Sequence, residues 1–249
     1  DEKYIKQYHP DSNIYLYDWG LTKEQHTQLI ASGVNVQSWH MHIDGVYTRK
    51  TGPLALLAKL WDKYYRYSQD RFKLDLLFCE KIHCLLDHAY RSSRPFLYLD
   101  SDCIIGKKVL IPKCDIGLTL REEDQIEVSM KRGHFPFNCG VMYFGGTQDH
   151  RIEFINAWLH ETMALLFNHI PFAEQTGVYT LVNRAKNVQY KNNATCTLTL
   201  DHTFRIHFLP FDKYNYHLME KGKHEAYVYH FKGWRHKEPH FSKLLKSIE

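Results

Sequence analysis

The sequence lacks several features that would place it in a specialised class of proteins. No apolar run approaches the ~20 residues that a membrane span needs, and no signal-like segment opens the chain. The six cysteines include no CxxC pair and most lie inside apolar runs, which is typical of reduced core residues. There is also no internal repeat and no low-complexity linker, so the sequence indicates neither a repeat array nor a clear domain boundary.

The composition is that of a globular protein with a local excess of positive charge. With 249 residues, 44% hydrophobic and 14% aromatic, the chain can bury a sizeable core, and we expect a single domain over residues 1 to 249. Residues 203 to 249 hold nine Lys and Arg against five Asp and Glu. This excess favours an anionic ligand or a peripheral membrane association over nucleic acid, although a solvated basic tail explains it equally well.

Residues 13 to 39 have the pattern of a strand, a helix and a second strand. Thr22 and Gln25 form a capping box that starts the helix, and Gly33 is a typical residue to end it. Two strands joined through a helix pair in parallel, so this βαβ unit predicts a parallel sheet. Later segments predict helices at 53 to 67 and 72 to 91, strands at 96 to 99, 114 to 120 and 137 to 146, a polar lid at 121 to 136, and helices from 152 and from 174.

The stretch FLYLDSDCII, residues 96 to 105, joins an apolar strand to a pair of carboxylates. The run from Phe96 to Leu99 predicts a strand buried on both faces, and Asp100 and Asp102 follow at its end. A buried carboxylate needs a partner, so two of them at one strand end indicate a cation. Oxygen ligands at this spacing suit Mg²⁺ or Mn²⁺, although a strand that ends in a polar turn explains an isolated Asp-x-Asp equally well.

Five short motifs occur in a fixed order, namely FLYLDSDCII, CDIGLTL, FNCGVMYF, EQTGVY and HFKGWRHK. Together they resemble the landmarks of GT-A glycosyltransferases, in particular the family-eight type that includes glycogenin and bacterial lipopolysaccharide galactosyltransferases. The segment YLYDWGLTKEQHTQLIASGVNV resembles the second strand and helix of that fold, so the resemblance covers most of the chain from about residue 13. It implies one α/β, Rossmann-like GT-A domain with a mostly parallel central sheet flanked by helices.

The resemblance also implies a metal site. Asp100 and Asp102 match the D-x-D that holds the divalent cation, with Asp100 also facing the ribose or the sugar, and His230 matches the third protein ligand. A neutral imidazole and two carboxylates leave room for two phosphate oxygens in an octahedral Mn²⁺ shell. Without the two aspartates, a histidine at a strand end is more often structural than a ligand.

Further positions match family residues that line the donor pocket. The set near the diphosphate or the sugar is Lys81, Asn138, Gly140, Gly233, Arg235 and Lys237. The family has a single lysine where this chain has Arg235, His236 and Lys237, and no Pro-Trp follows here. A surface role for Lys81 and a turn-capping role for Asn138 are the plainer alternatives.

Glu174 and Gln175 match the D-Q landmark beside the anomeric carbon, which makes them the candidate catalytic residues. Glu174 is suited to be the base of an inverting reaction, whereas the Gln175 amide carbonyl suits a retaining one. The landmark together with the His230 ligand resembles the retaining family, so we favour retention. The plainer alternative for Glu174 is an acid in the first turn of a helix.

The sequence therefore predicts a metal-dependent enzyme that transfers a sugar from a nucleotide diphosphate sugar, with UDP the expected nucleotide. The acceptor would be the hydroxyl of a glycan, a lipid-linked molecule or a protein. One rival is a haloacid-dehalogenase-like phosphatase, whose motif is also an apolar strand before D-x-D, but its downstream Gly-Asp-x3-4-Asp pattern is not found. The other is an inactive GT-A module that binds carbohydrate or acts as a scaffold, against which Asp100, Asp102 and His230 argue.

The first ten residues differ from the start of a complete nucleotide-binding sheet. Such a sheet normally opens with a strand and a helix, whereas residues 1 to 10 are few and polar. We expect the first strand to be missing from this sequence, or residues near its N-terminus to be absent from the numbering. A cytoplasmic location is expected, with the Golgi lumen as the alternative if an N-terminal anchor has been removed.

Overall fold

The computed structural model describes residues 2–18, 20–39, 69–131, 135–168, 170, 172–216 and 225–231. The helix predicted at 53 to 67 lies outside these residues. The described chain is an α/β protein that divides into two compact units. The first unit comprises residues 1–12, 92–153 and 182–249, and the second comprises 13–91 and 154–181. The prediction of a single domain over the whole chain is therefore not confirmed.

Helices and strands alternate along the chain. In order they are α1 (Glu2–Tyr8), β1 (Tyr15–Asp18), α2 (Lys23–Ala31), β2 (Asn35–Ser38), α3 (Gln69–Arg91), β3 (Phe96–Leu99), β4 (Cys103–Ile105), β5 (Ile116–Leu120), α4 (Glu123–Lys131), β6 (Phe137–Phe144), α5 (Gln148–Phe167), α6 (Ala173–Val182), β7 (Thr195–Thr199), β8 (Thr203–Leu209), α7 (Phe211–Tyr214) and β9 (Val228–His230). None of the helices in the described ranges has the length and apolar character needed to cross a membrane.

The first unit contains a five-stranded mixed sheet in the order β3-β6-β5-β8-β7. Only β5 and β8 pair in parallel, and the other three pairings are antiparallel. The prediction of a mostly parallel sheet is corrected here. The short connection at residues 200 to 202 permits only an antiparallel turn between β7 and β8. Strand β6 is buried along almost its whole length, and such a pattern is the same for either strand direction.

Two local predictions in this unit also change. Each residue of β3 is half-buried, because β3 is the terminal strand of the five-stranded sheet, whereas the sequence predicted burial on both faces. The polar stretch predicted as a lid contains a helix, α4, rather than an irregular loop.

The second unit confirms the βαβ prediction. Strands β1 and β2 pair in parallel, and α2 lies between them in sequence. Thr22 and Gln25 make both hydrogen bonds of the capping box. Gly33 has a φ of +82°, a left-handed conformation that glycine adopts without strain and that ends the helix.

The cysteine prediction is also confirmed. All six cysteines are buried, and none of them forms a disulfide bond. A cluster in the first unit includes Cys103 and packs residues of β4, β6, β8 and β9 together. This packing fixes β4 and β9 beside the main sheet, and these two strands carry the candidate site.

Candidate metal centre

One short turn and a strand end bring three predicted metal ligands together in the first unit. Asp100 follows β3, Asp102 precedes β4, and His230 is the last residue of β9. The Nε2 atom of His230 lies 3.0 Å from Asp102 Oδ1 and 3.7 Å from Asp100 Oδ2. These side chains meet although more than a hundred residues separate the aspartates from the histidine in sequence.

The backbone holds the three side chains in place. The Asp100 N–H donates to the carbonyl oxygen of Gly140 at 2.8 Å, which ties the end of β3 to β6. The Phe231 N–H donates to the carbonyl oxygen of Asp102 at 2.9 Å, and β4 pairs with β9 so that Cys103 is opposite His230. Both aspartates are therefore anchored to the strands that flank the histidine.

Gly140 provides the space that this cluster occupies. A Cβ atom at this position would lie 2.3 Å from His230 Cε1 and 2.8 Å from Asp100 Oδ2, distances that real Cβ contacts do not show. Only glycine therefore lets the imidazole and the carboxylate meet against β6. The predicted residue Asn138 lies two positions earlier on β6, and its carboxamide oxygen accepts from the Gly140 N–H at 3.0 Å.

Asn215 orients the imidazole of His230, and the sequence did not point to it. Its side chain is fully buried, and its Oδ1 accepts from His230 Nδ1 at 2.7 Å. The proton on Nδ1 leaves Nε2 facing the carboxylates, as either a lone pair or the second N–H of an imidazolium. Asn215 follows the short helix α7 in no recognisable motif, and only the folded chain brings it to His230.

The two carboxylates of the cluster are partly open to solvent. The Asp100 and Asp102 side chains are 31% and 35% exposed, whereas that of His230 is 5% exposed. The Tyr98 hydroxyl donates to Asp100 Oδ1 at 2.5 Å. With a neutral imidazole the cluster carries two negative charges, each near His230 Nε2, and such an arrangement favours a bound cation.

The distances within the cluster fit a hard divalent cation. Two ligands at right angles on one ion, with bonds of about 2.1 Å, are about 3.0 Å apart. The separation of Asp102 Oδ1 and His230 Nε2 has this value, and Asp100 is only slightly farther away. Two carboxylates and one imidazole suit Mn²⁺ or Mg²⁺ when oxygen ligands complete the shell. The sulfur of Cys103 is also close, since Asp102, Cys103 and His230 offer ligand atoms within 4.8 Å of one another.

The other predicted side chains form a separate cluster in the second unit. Lys81 on α3 makes a close ion pair with Glu174 in the first turn of α6, and their side chains are 10% and 3% exposed. The Trp158 indole N–H donates to the Glu174 carbonyl oxygen at 2.8 Å. Lys81 is therefore not a surface lysine, and Glu174 is a first-turn acid, as its plainer interpretation predicted. Gln175 is half-buried beside it.

A second carboxyl group lies close to Glu174. Asp75 on α3 is buried, and its Oδ2 accepts from the Phe172 N–H at 3.3 Å. Burial, with a smaller contribution from the nearby Glu174 charge, raises the pKa of Asp75 to about 6, although the Phe172 hydrogen bond acts in the opposite direction. Asp75 therefore keeps its proton to a higher pH than an exposed aspartate does.

Three predicted residues lie outside the described residues, namely Gly233, Arg235 and Lys237. Elsewhere in the first unit a surface pocket of about 590 Å³ is lined by residues 111 to 115 together with Tyr143, Gly146 and Arg205. None of the predicted site residues lines it.

Comparison with known proteins adds no family. No protein-family model matches the chain, and no curated protein matches it significantly. The functional argument therefore depends on the motifs and on the geometry of the two clusters.

Proposed function

We propose that the protein is a metal-dependent glycosyltransferase of the GT-A type. It would transfer a sugar from a nucleotide diphosphate sugar, with UDP as the expected nucleotide, to the hydroxyl of a glycan, lipid-linked or protein acceptor. The observation that carries the proposal is the meeting of Asp100, Asp102 and His230 beside Gly140. The same three residues match the metal ligands of the family that the sequence resembles, Asp100 and Asp102 through the D-x-D motif and His230 through the HFKG motif.

In this proposal Asp100, Asp102 and His230 hold Mn²⁺ or Mg²⁺. When bound, the ion would supply positive charge to the diphosphate as it leaves the sugar. Asn215 keeps His230 Nε2 directed at the carboxylates, and Gly140 leaves the space in which the three side chains meet. Gly233, Arg235 and Lys237 would contribute backbone approach and positive charge to the phosphates, and Asn138 would line the sugar pocket.

The ion pair of Glu174 favours a retaining reaction. A general base must reach the acceptor hydroxyl and accept its proton, whereas Glu174 is buried and already neutralised by Lys81. We therefore give Glu174 no role as a base and propose the retaining reaction. An α-linked donor should then give an α-linked product, which proton NMR of the first-formed product measures. A β-linked product would contradict this assignment.

The same ion pair also supports a second candidate function. If Lys81 and Glu174 serve only to join α3 and α6, the chain could bind nucleotide sugar or carbohydrate without turnover, as an inactive GT-A module does. Binding of UDP that depends on Mn²⁺, without release of sugar from any donor, would favour this module over the enzyme.

The decisive experiment is a screen of nucleotide sugars for turnover with Mn²⁺ and with a chelator. The proposal predicts turnover of at least one donor that the chelator abolishes. Gly140→Ala should remove this turnover, because its methyl group displaces His230 and Asp100. Gly117→Ala is the control, since the nearest side chains to a Cβ there are Leu209 and Tyr143 at 3.0 Å, neither of which is a predicted metal ligand, and this variant should retain the turnover. Turnover without metal, or a phosphatase activity instead, would refute the proposal.

A further inference from the structure

The strand after the two aspartates brings a sulfur atom to the candidate metal centre. Cys103 is the first residue of β4, directly after Asp102, and the antiparallel register sets it opposite His230. Directly opposite residues of an antiparallel pair project their side chains to the same face. The Asp102 carboxylate, the Cys103 sulfur and a His230 ring nitrogen accordingly lie within 4.8 Å of one another.

This group differs from the hard ligand set of Asp100, Asp102 and His230 by its sulfur. Thiolate and imidazole ligands select Zn²⁺ over Mg²⁺ and Mn²⁺, and Zn²⁺ accepts three protein ligands with a fourth position open. With bonds of ~2.3 Å to sulfur and ~2.0–2.1 Å to nitrogen, two ligands at the tetrahedral angle of one Zn²⁺ are about 3.6 Å apart. Atoms that lie within 4.8 Å of one another need to move inward by about 1 Å at most to share an ion.

The surroundings of Cys103 make its sulfur available to a cation. The residue is 1% exposed, and its thiol makes a long contact to the Gly140 carbonyl oxygen, with Sγ and O 3.7 Å apart. A thiol is a weak donor, so little is lost when this contact is exchanged for a metal–sulfur bond. The thiol proton then leaves to the buffer, because the thiolate is the form that binds metal.

We propose that Asp102, Cys103 and His230 form a Zn²⁺ site with the Cys103 sulfur as a ligand. Zn²⁺ held there occupies Asp102 and His230, so it excludes the hard cation that sugar transfer requires. This competition rests on the proposed function, whereas the binding of Zn²⁺ does not. If Cys103 only packs in the core, we expect neither a bond from its sulfur to Zn²⁺ nor the competition with the hard cation.

The binding is tested on the full chain without nucleotide, with Co²⁺ as an optical probe for the Zn²⁺ site. We expect a thiolate-to-Co²⁺ charge-transfer band in the near ultraviolet that grows with Co²⁺ and disappears when Zn²⁺ is added. If the folded wild-type protein shows no such band at saturating Co²⁺, the proposal is wrong. This measurement needs no variant, so it decides even if a substitution at Cys103 prevents folding.

Two serine variants test whether the Cys103 sulfur is the ligand that gives rise to the Co²⁺ band. Cys103→Ser should lose the band and weaken Zn²⁺ binding by more than the ~10–100-fold that loss of an outer-shell partner costs. Cys139→Ser is the matched control, because Cys139 is equally buried but projects from β6 to the face opposite Gly140. The control should keep the band. A band that survives in Cys103→Ser, or that is lost only in Cys139→Ser, overturns the assignment.

The competition is measured separately from the binding. Zn²⁺ should inhibit Mn²⁺-dependent turnover of the wild type, and Cys103→Ser should be less sensitive to Zn²⁺. Equal sensitivity of the two proteins would refute the competition. A Co²⁺ band without turnover of any donor refutes the proposed function and leaves the Zn²⁺ site standing, whereas turnover without the band refutes the site alone.

Discussion

The two clusters of charged side chains differ in how far their charged groups are exposed to solvent. In the first unit, Asp100 and Asp102 are about one-third exposed and meet beside a buried His230. In the second unit, Lys81 and Glu174 are almost completely buried and neutralise each other. The carboxylates of the first cluster are thus partly open to solvent, whereas the acid of the second is buried against its counter-charge.

This difference separates a binding arrangement from a structural one. A buried ion pair that is complete in itself gives no reason to expect a ligand, and breaking it is costly. Two converging carboxylates repel each other until a cation binds, so their arrangement is maintained at a cost in stability. Substitutions in the two clusters should therefore have different consequences, the first mainly for binding and the second mainly for folding.

The largest expected effect is that of Asp102→Asn on nucleotide binding. The amide keeps the shape of the side chain but removes its charge, so Mn²⁺-dependent binding of UDP should weaken by more than ~100-fold, beyond the cost of an outer-shell loss. Isothermal titration calorimetry with UDP and Mn²⁺ measures this. The same substitution should leave the fold intact and raise the melting temperature of the metal-free protein, because it removes a like-charge repulsion.

Asp149→Asn provides the control for this experiment. Asp149 is an exposed acid in the first turn of α5, so the same chemical change should leave UDP affinity unaltered. If Asp102→Asn also leaves it unaltered, the aspartates have a structural role and the contrast between the two clusters is lost.

The next effect in size is that of Glu174→Gln on folding. Removing the acid leaves the Lys81 ammonium buried without a counter-charge, which typically costs ~3–5 kcal/mol. We expect urea denaturation to show a loss of this order. Combining it with Lys81→Met should restore much of the stability, because no unpaired charge remains. If the double variant is no more stable than Glu174→Gln, the ion pair does not account for the loss.

The same variant tests the assignment of retention through its kinetics. Since Glu174 is already paired, we expect kcat with a turned-over donor to change by less than the ~100-fold that loss of a general base costs. A larger loss with donor affinity unchanged would identify Glu174 as a base and return the reaction to inversion.

Much of the fold could be predicted because its signals are local. The capping box of Thr22 and Gln25, the turn at Gly33 and the helical spacing before Arg91 each depend on neighbours in sequence. Strand direction in the main sheet could not be predicted, since β6 is buried on both faces and its pattern does not record which way it runs. The division into two units could not be predicted either, because no linker or shift in composition indicates it.

Some residues of the candidate site could likewise be predicted from the sequence, and others could not. Asp100 and Asp102 could be found because they adjoin an apolar strand, and His230 because its motif resembles a known one. The partner of His230 could not, because Asn215 reaches it only in the folded chain. The pairing of Lys81 with Glu174 was also missed, since each residue was interpreted against a ligand and nothing in the sequence relates one to the other.

An intermediate effect is expected for Asn215, which orients the His230 ring. Asn215→Ala removes the acceptor for His230 Nδ1, so the ring loses its orientation and Mn²⁺ affinity should fall by ~10–100-fold. Asn215→Asp restores an acceptor, and although its buried charge lowers stability, it should recover most of the affinity. Calorimetry with Mn²⁺ and UDP compares the two. Equal affinities for the Ala variant and the wild type would show that Asn215 only packs against the ring.

The smallest expected effect is a pH dependence that arises in the second cluster. The pKa of Asp75 is raised to about 6 by burial and, to a lesser extent, by the nearby Glu174 charge, whereas its ordinary value is 3.8. Between pH 4 and pH 6 the unfolded chain has therefore lost this proton while the folded chain keeps it, so stability falls as the pH rises through this window. We expect the free energy of unfolding to fall by up to about 1.4 kcal/mol per pH unit across this window, with no further contribution above pH 6 or below pH 4.

Other groups titrate in the same range, so the measurement is the difference between the wild type and Asp75→Asn in urea denaturation at each pH. The variant should lose this decrease and gain stability relative to the wild type from pH 4 to pH 6. A difference that is constant with pH would show that the pKa of Asp75 is the same in the folded and the unfolded protein, and that burial in the second cluster does not hold a proton on this acid.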